Sequence, residues 1–244
     1  MKIGLIGDHI SDIYIYGKMT RFSPESPIPI FDVEREEWRA GGASNVNNNL
    51  MNLGAYVDYF YSEDVYCKKR RYVCDGHIMF RCDEDVFLDQ DPDYLPEFDE
   101  DVKYVILSDY GKGVLKYSQK IINHLKKQGK IVIVDPKKSL VNYEGADIVK
   151  MNEEEYFKYA MVGDDHQDTR KFYNIGTMVI TRGSRGPIIV SSEGISELPG
   201  INKDVSDVTG AGDDALFTKY QNGAIVWANV GGSQDVAIKY GFDS

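Results

Sequence analysis

Scarcities in this sequence narrow its class before any motif is read. There are three cysteines, Cys67, Cys74 and Cys82, in 244 residues. An odd count with C-x6-C-x7-C spacing makes neither a disulfide framework nor a zinc site, so free thiols in a reducing cytoplasm are expected. The four histidines, His9, His77, His124 and His166, show no ligand spacing. No apolar run approaches the ~20 residues a membrane helix needs. The opening MKIGLIGD reads as a buried strand rather than a signal peptide. Basic charge is short as well: Lys+Arg number 28 against Asp+Glu 39, a net charge of -11. That argues against general nucleic-acid binding, which depends on cations displacing counterions. It leaves room for a small anion held by a few local basic groups. Neither G-x-x-x-x-G-K-[ST] nor a G-x-G-x-x-G after a strand occurs, which argues against a P-loop NTPase or a dinucleotide enzyme.

What is present suits one domain spanning 1–244. Hydrophobic residues make up 42% of the chain, enough for a sizeable core. The runs KIGLIG (2–7), KYVILSD (103–109), IVIVD (131–135), ADIVKM (146–151) and TMVIT (177–181) are short and apolar almost throughout. Strands buried on both faces of a parallel sheet have this character. Ser118 to Gln128 has a helical apolar face of Ile121, Ile122 and Leu125, with Gly129 as its stop. Repeated strand–helix–strand units predict a doubly wound α/β sheet. Two stretches break that rhythm. Residues 28–38, and 71–82 around Asp75-Gly76, alternate like strands of a small separate sheet. Such a sheet serves either as a lid over a site or as a structural meander.

Five segments can carry chemistry, and each also has a purely structural reading. Gly210, Ala211 and Gly212 precede a helix-compatible run, where free N–H groups can hold the charge of a transferred phosphoryl group. Asp213 beside them can accept a proton from an attacking hydroxyl, or merely favour a helix start. Gly41 and Gly42 permit close approach of a ligand, and Asn45 can bind sugar hydroxyls; a tight strand-to-helix turn has the same composition. Asp8 and Asp12 follow the first strand, where open parallel sheets bind ligands, yet both also suit turns or caps. Asn152 and Glu155 can orient magnesium-bound water and phosphate, or form a helix cap. Thr181, Gly183 and Gly186 form a Gly-rich turn that suits a nucleotide or a hairpin.

The order of these segments, GGxxN, N-x-x-E, T-x-G-x-x-G and D-x-T-G-A-G-D, resembles that of the ribokinase-like (phosphofructokinase B-type) carbohydrate kinases. GDHISDIYIYGKMTRFSPESPIPIF…RAGGASNV, LSDYGKGVL, DPKK and DVTGAGD are most similar to the heptose 7-phosphate kinases within that group. The resemblance implies a three-layer α/β/α fold with a mostly parallel central sheet. A β lid would come from about 13–39 and 71–83 and often also forms a homodimer interface. It implies ATP-dependent phosphorylation of the anomeric hydroxyl of a heptose 7-phosphate, giving the 1,7-bisphosphate. Magnesium is an implied cofactor, and a monovalent cation is a further candidate. Asp213 would be the base and Gly210–Gly212 the anion hole. Asn152 and Glu155 would hold magnesium through water, and Thr181, Gly183 and Gly186 would meet the nucleotide. Asp8, Asp12, Gly41, Gly42 and Asn45 would bind the sugar, with Arg21, Arg81, Asp109 and Lys112 around its phosphate. Neither nucleic acid nor membrane is an implied partner.

The chain departs from that family at several places. Asp214 stands where Thr is usual, adding charge beside the base. Asn47, Asn48 and Asn49 occupy a helix that favours small or apolar residues, so that helix depends on tertiary packing. Residues 55–71 and 217–227 are contracted. A kinase of another sugar, or a sugar-binding relative without catalysis, is therefore the alternative.

Overall fold

The structure, a computed structural model, describes residues 1–62, 66–86, 95–160 and 165–200, together with three strands at 217–221, 224–228 and 237–241. The five apolar runs become the parallel strands β1 (Lys2–Gly7), β7 (Tyr104–Ser108), β8 (Ile131–Asp135), β9 (Ile148–Asn152) and β10 (Thr177–Thr181). β4 (Tyr56–Phe60) joins them at one edge, and β11 (Ile188–Ser191) and β12 (Gly194–Glu197) continue antiparallel at the other. The order is β12-β11-β10-β9-β8-β7-β1-β4.

Helices cover both faces, as expected for strands with few polar residues. Val46 and Leu50 of α1 (Ala43–Asn52) pack with Ile3, Leu5, Ile106 and Ile133 on one face. The alternate residues Ile6, Val105, Leu107, Val132, Val134 and Val149 form the larger core on the other. There they meet Ile121, Ile122 and Leu125 of α2 (Ser118–Lys127), and Tyr156 and Tyr159 of α3 (Glu153–Tyr159). A further helix, α4 (His166–Phe172), precedes β10. The fold is thus the expected α/β/α arrangement with a mostly parallel sheet. α1 is held by Val46 and Leu50, while Asn48 is exposed and Asn47 and Asn49 are half-buried. No described helix is long and apolar enough to cross a membrane.

The small separate sheet has four strands, in the order β3-β2-β5-β6. Its strands run further than expected: β2 is His9–Phe22, β3 Pro29–Gly42, β5 Tyr66–Cys74 and β6 His77–Val86. Asp75-Gly76 joins β5 to β6 with φ 50 and 79, the left-handed pair that a tight two-residue hairpin turn requires. Asp8 alone separates β1 from β2, and β3 passes directly from Gly42 into α1. This small sheet therefore grows out of the main sheet without a linker.

The C-terminal part differs from the helix-compatible reading. Phe217–Gln221 is a strand, β13, paired antiparallel with β14 (Ala224–Ala228), which pairs with β15 (Ala237–Gly241). The register Gln221↔Ala224 leaves only Asn222-Gly223 between β13 and β14, a two-residue hairpin signal that the sequence reading passed over.

Candidate active site

Six parallel strands end at one edge, and the motif residues gather along it. β1 lies between β4 and β7, and the chain leaves it toward both neighbours, which makes it the switch point where open sheets form a crevice. Asp8 sits at that point and is fully buried. Its Oδ2 accepts from the backbone N–H of Tyr110 (2.9 Å) and Lys112 (3.1 Å), and its Oδ1 from that of Val114 (3.0 Å). Burial pushes its carboxyl above the ordinary value, although the three amides pull the other way. Three donors onto two oxygens call for the ionised form at neutral pH. Asp8 thus braces the loop 109–114.

Asp109 is nearly buried too and braces the same loop. Its Oδ1 accepts from Gly111 N–H (2.6 Å), and its Oδ2 from the Tyr143 hydroxyl (2.6 Å) and Lys138 Nζ (3.2 Å). Burial, then the Asp109 charge, raises the Tyr143 phenol well above its usual value. Lys112 reaches β6 of the small sheet, where its Nζ meets Asp85 Oδ2 at 2.5 Å. Beside that pair, burial and then the Asp85 hydrogen bond push the Cys67 thiol up to about 12, an inert thiol.

Asp12, Gly41 and Gly42 stand at the base of the small sheet. Asp12 forms a half-buried ion pair with Arg71 of β5, whose guanidinium also lies 5.2 Å from the Tyr14 ring. A Cβ on Gly41 would overlap Asp12 Oδ2, so this glycine makes room for the carboxylate. Gly42, at φ 58, turns β3 into α1, and the Ala43 N–H donates to the Asp8 carbonyl at 3.0 Å. Asn45 follows in the first turn of α1, half-buried. Beneath it, Ser44 Oγ lies 2.6 Å from His9 Nδ1 and 3.2 Å from the Tyr59 hydroxyl, and burial lowers the His9 pKa.

Asn152 and Glu155 realise the helix cap. The Glu155 N–H donates to Asn152 Oδ1 at 2.8 Å, and the Asn152 N–H donates to Glu155 Oε2 at 3.1 Å, a reciprocal capping box. Glu155 Oε1 lies outside that box and meets Lys137 Nζ at 3.3 Å. Thr181 is the register partner of Asn152 on β10. Gly183 (φ 58) and Gly186 (φ 77) bound the short turn that follows, and Arg185 of that turn pairs with Glu153 at 2.5 Å. The two nucleotide-type motifs are therefore neighbours. Magnesium commonly uses one or two carboxylates and keeps much of its water. Glu155 Oε1 is the chemically suitable oxygen here. No group of three or more His, Cys, Asp or Glu side chains among the described residues makes a protein-only cage.

The remaining motif residues stand further along the four-stranded sheet or outside the described residues. Arg81 on β6 is the register partner of Arg71 and pairs with Asp83 at 2.8 Å. Arg21 lies far along β2, roughly 40 Å of strand beyond His9 at ~3.3 Å per residue. It is exposed and pairs with Asp32 at 3.2 Å, so within one chain it is not brought to the other residues. Gly210, Ala211, Gly212, Asp213 and Asp214 lie outside the described residues. Sequence reasoning missed Arg71 and gave no role to Lys137. The signal for Arg71 was the strand alternation that sets Lys69, Arg71 and Val73 on one face of β5.

Residues 100–215 match the family described as pfkB family carbohydrate kinase. The bifunctional protein HldE of Helicobacter acinonychis is 31% identical over 264 residues, covering 88% of this chain and 56% of that protein. Over residues 100–215 the chain is similar to the pfkB family carbohydrate kinases. Members of this family are phosphotransferases with a sugar hydroxyl as acceptor. HldE of Vibrio cholerae is likewise 31% identical, over 87% of this chain and 53% of its own length. The chain thus spans about half the length of the curated relatives it matches. Among solved structures, a nucleoside kinase of Methanocaldococcus jannaschii has a TM-score of 0.57 at 17% identity, covering 88% of this chain and 81% of its own. Ribokinase of Thermotoga maritima has 0.56 at 13%, covering 87% and 82%. These two likenesses concern the fold.

Proposed function

We propose that this protein transfers the γ-phosphoryl group of ATP to the anomeric hydroxyl of a heptose 7-phosphate, forming the 1,7-bisphosphate in the cytoplasm. The observation that carries this reading is the layout of the sheet edge. Acceptor-type residues cluster at β1, α1 and the lid, while nucleotide-type residues cluster at β9 and β10. Three strand steps separate β1 from β9, about 14 Å at ~4.8 Å per step, a span that suits a sugar and a polyphosphate end to end. The likeness to HldE supports the heptose, and the basic residues of the lid support a phosphorylated substrate.

In this reading the lid and the Gly41–Gly42 turn hold the sugar, with Asp12 and Asn45 toward its hydroxyls. Asp8 and Asp109 act by holding the backbone of 109–114 in place. Arg81 and Lys112 meet the sugar phosphate. Thr181, Gly183 and Gly186 meet the nucleotide, and Asn152 and Glu155 serve the magnesium ion, which neutralises phosphate charge when bound. Asp213 takes the proton from the attacking hydroxyl, and Gly210–Gly212 stabilise the transferring group. The lid carries exposed Phe22, Val33, Trp38, Ile78 and Phe80, which favours a homodimer through that sheet.

An ADP-coupled assay with magnesium, ATP and a panel of heptose, hexose and pentose phosphates tests the substrate. Turnover is expected with the heptose phosphate and lost in Asp213→Asn with the fold retained. A faster ribose or fructose phosphate would reassign the sugar. Sugar binding without nucleotide binding would favour a non-catalytic relative.

A further inference from the structure

Four lysines stand along the C-terminal edge of the sheet, and their partners distinguish them. Lys112 is tied to Asp85 at 2.5 Å. Lys138 donates to the Leu115 carbonyl at 2.5 Å and pairs with Asp109 at 3.2 Å. Lys150 is 4% exposed and lies 3.6 Å from Asp135. Lys137 differs from all three. Its side chain is 47% exposed, and its ammonium meets Glu155 Oε1 at 3.3 Å. Charge-assisted bonds usually close to ~2.7–2.9 Å, so this contact is loose.

Its position is equally distinctive. Lys137 follows β8, between the acceptor side at β1 and β7 and the nucleotide side at β9 and β10. Its stem passes the 109–114 loop, where a Cβ on Gly111 would lie 3.7 Å from Lys137 Cγ. The side chain therefore spans from the acceptor loop to the capping box of α3.

We propose that Lys137 is the cation that binds the terminal phosphates of the nucleoside triphosphate, and that Glu155 holds it in reserve until nucleotide and magnesium arrive. The inference rests on the kinase reading and deepens it. A magnesium-bound water on Glu155 Oε1 would compete with the Lys137 ammonium for that oxygen. When that oxygen turns to magnesium-bound water, the ammonium of Lys137 loses its partner at the place where phosphate charge appears. The exchange conserves charge pairing on both sides, so neither Lys137 nor Glu155 is left unpaired in either state.

Calorimetry on the full chain tests this with ATP, ADP, AMP and adenosine. Lys137→Met is expected to weaken ATP and ADP about tenfold, the loss of one charge-assisted contact, and to leave AMP and adenosine unchanged. Lys137→Arg should restore most of the affinity. Glu155→Gln preserves the capping box, because glutamine can accept the Asn152 N–H. It should tighten ATP without magnesium, since Lys137 is released, and weaken ATP with magnesium. Opposite signs in the two conditions are not expected of a residue with a merely structural role. Unchanged ATP affinity in Lys137→Met, an equal loss for AMP, or no tightening in Glu155→Gln would overturn the role of Lys137 alone. A wild-type chain that binds no nucleotide would overturn the kinase reading and this inference together.

Discussion

Asp8→Asn removes charge at the point where the most structure converges, and its cost can be worked from the geometry. The wild-type carboxylate receives three backbone N–H donors at 2.9, 3.1 and 3.0 Å in a site closed to water. An amide of the same shape keeps one accepting oxygen. If that oxygen takes the place of Oδ2, Tyr110 and Lys112 keep their bonds at the strength of neutral ones, a loss of ~1 kcal/mol each. The amide nitrogen then faces the Val114 N–H, donor against donor, leaving a buried group unsatisfied at ~1–3 kcal/mol. The total, about 3–5 kcal/mol, is a large part of the ~5–15 kcal/mol that holds a typical domain folded. Urea unfolding should show a lower midpoint with an unchanged slope, the two together giving that loss of free energy. Amide exchange should accelerate first at Tyr110, Lys112 and Val114. An unfolding free energy within about 1 kcal/mol of wild type, with protection in 110–114 intact, would refute the assignment of Asp8 as the brace of this loop.

Two further outcomes follow from the lid. Gly41→Ala would push Asp12 from its pairing with Arg71, and kcat/KM for the sugar should fall on the order of 100-fold, as expected for a displaced positioning group; steady-state kinetics decide it, and an unchanged value would remove Asp12 from sugar binding. The Lys112 hydrogen bond, foremost, holds the Asp85 carboxyl below its ordinary value of 3.8. A depressed acid stabilises the fold above its unfolded value and loses that contribution as pH falls through the folded one. The tie between β6 and the 109–114 loop should therefore weaken from about pH 3.8 downward. Exchange in β5 and β6 should rise over that range, and less so in Lys112→Met, where the tie is already absent.

The parallel strands were legible because burial on both faces leaves an apolar run with few polar interruptions, as in IVIVD at β8. The hairpin at Asp75-Gly76 was legible because its turn demands left-handed backbone that few residue pairs supply. β2 was harder to delimit. Its buried residues, Ile10, Ile13 and Ile15, do not keep a period of two, since Ile10 belongs to one face and Ile13 and Ile15 to the other. The functions of Asp8 and Asp109 were not legible for a different reason. The partners of Asp8 lie more than a hundred residues away, and Tyr143, which meets Asp109, lies 34 residues away in a short helix whose place depends on the finished sheet. A short acidic residue after a strand looks the same whether it faces a ligand or a backbone amide. Asn152 and Glu155 show the same ambiguity from the other side, because the spacing that suits a metal site is also the spacing of a capping box.

The single residue between β1 and β2 has a mechanical consequence. A sheet on a flexible tether swings freely, whereas this one is cantilevered from the main sheet, with Asp8 at its root. That root is bolted through its carboxylate to the backbone of 110–114, and through its carbonyl to the start of α1. A tilt of the small sheet would therefore load the 109–114 loop and the Gly41–Gly42 turn together, so that neither rearranges independently of the other.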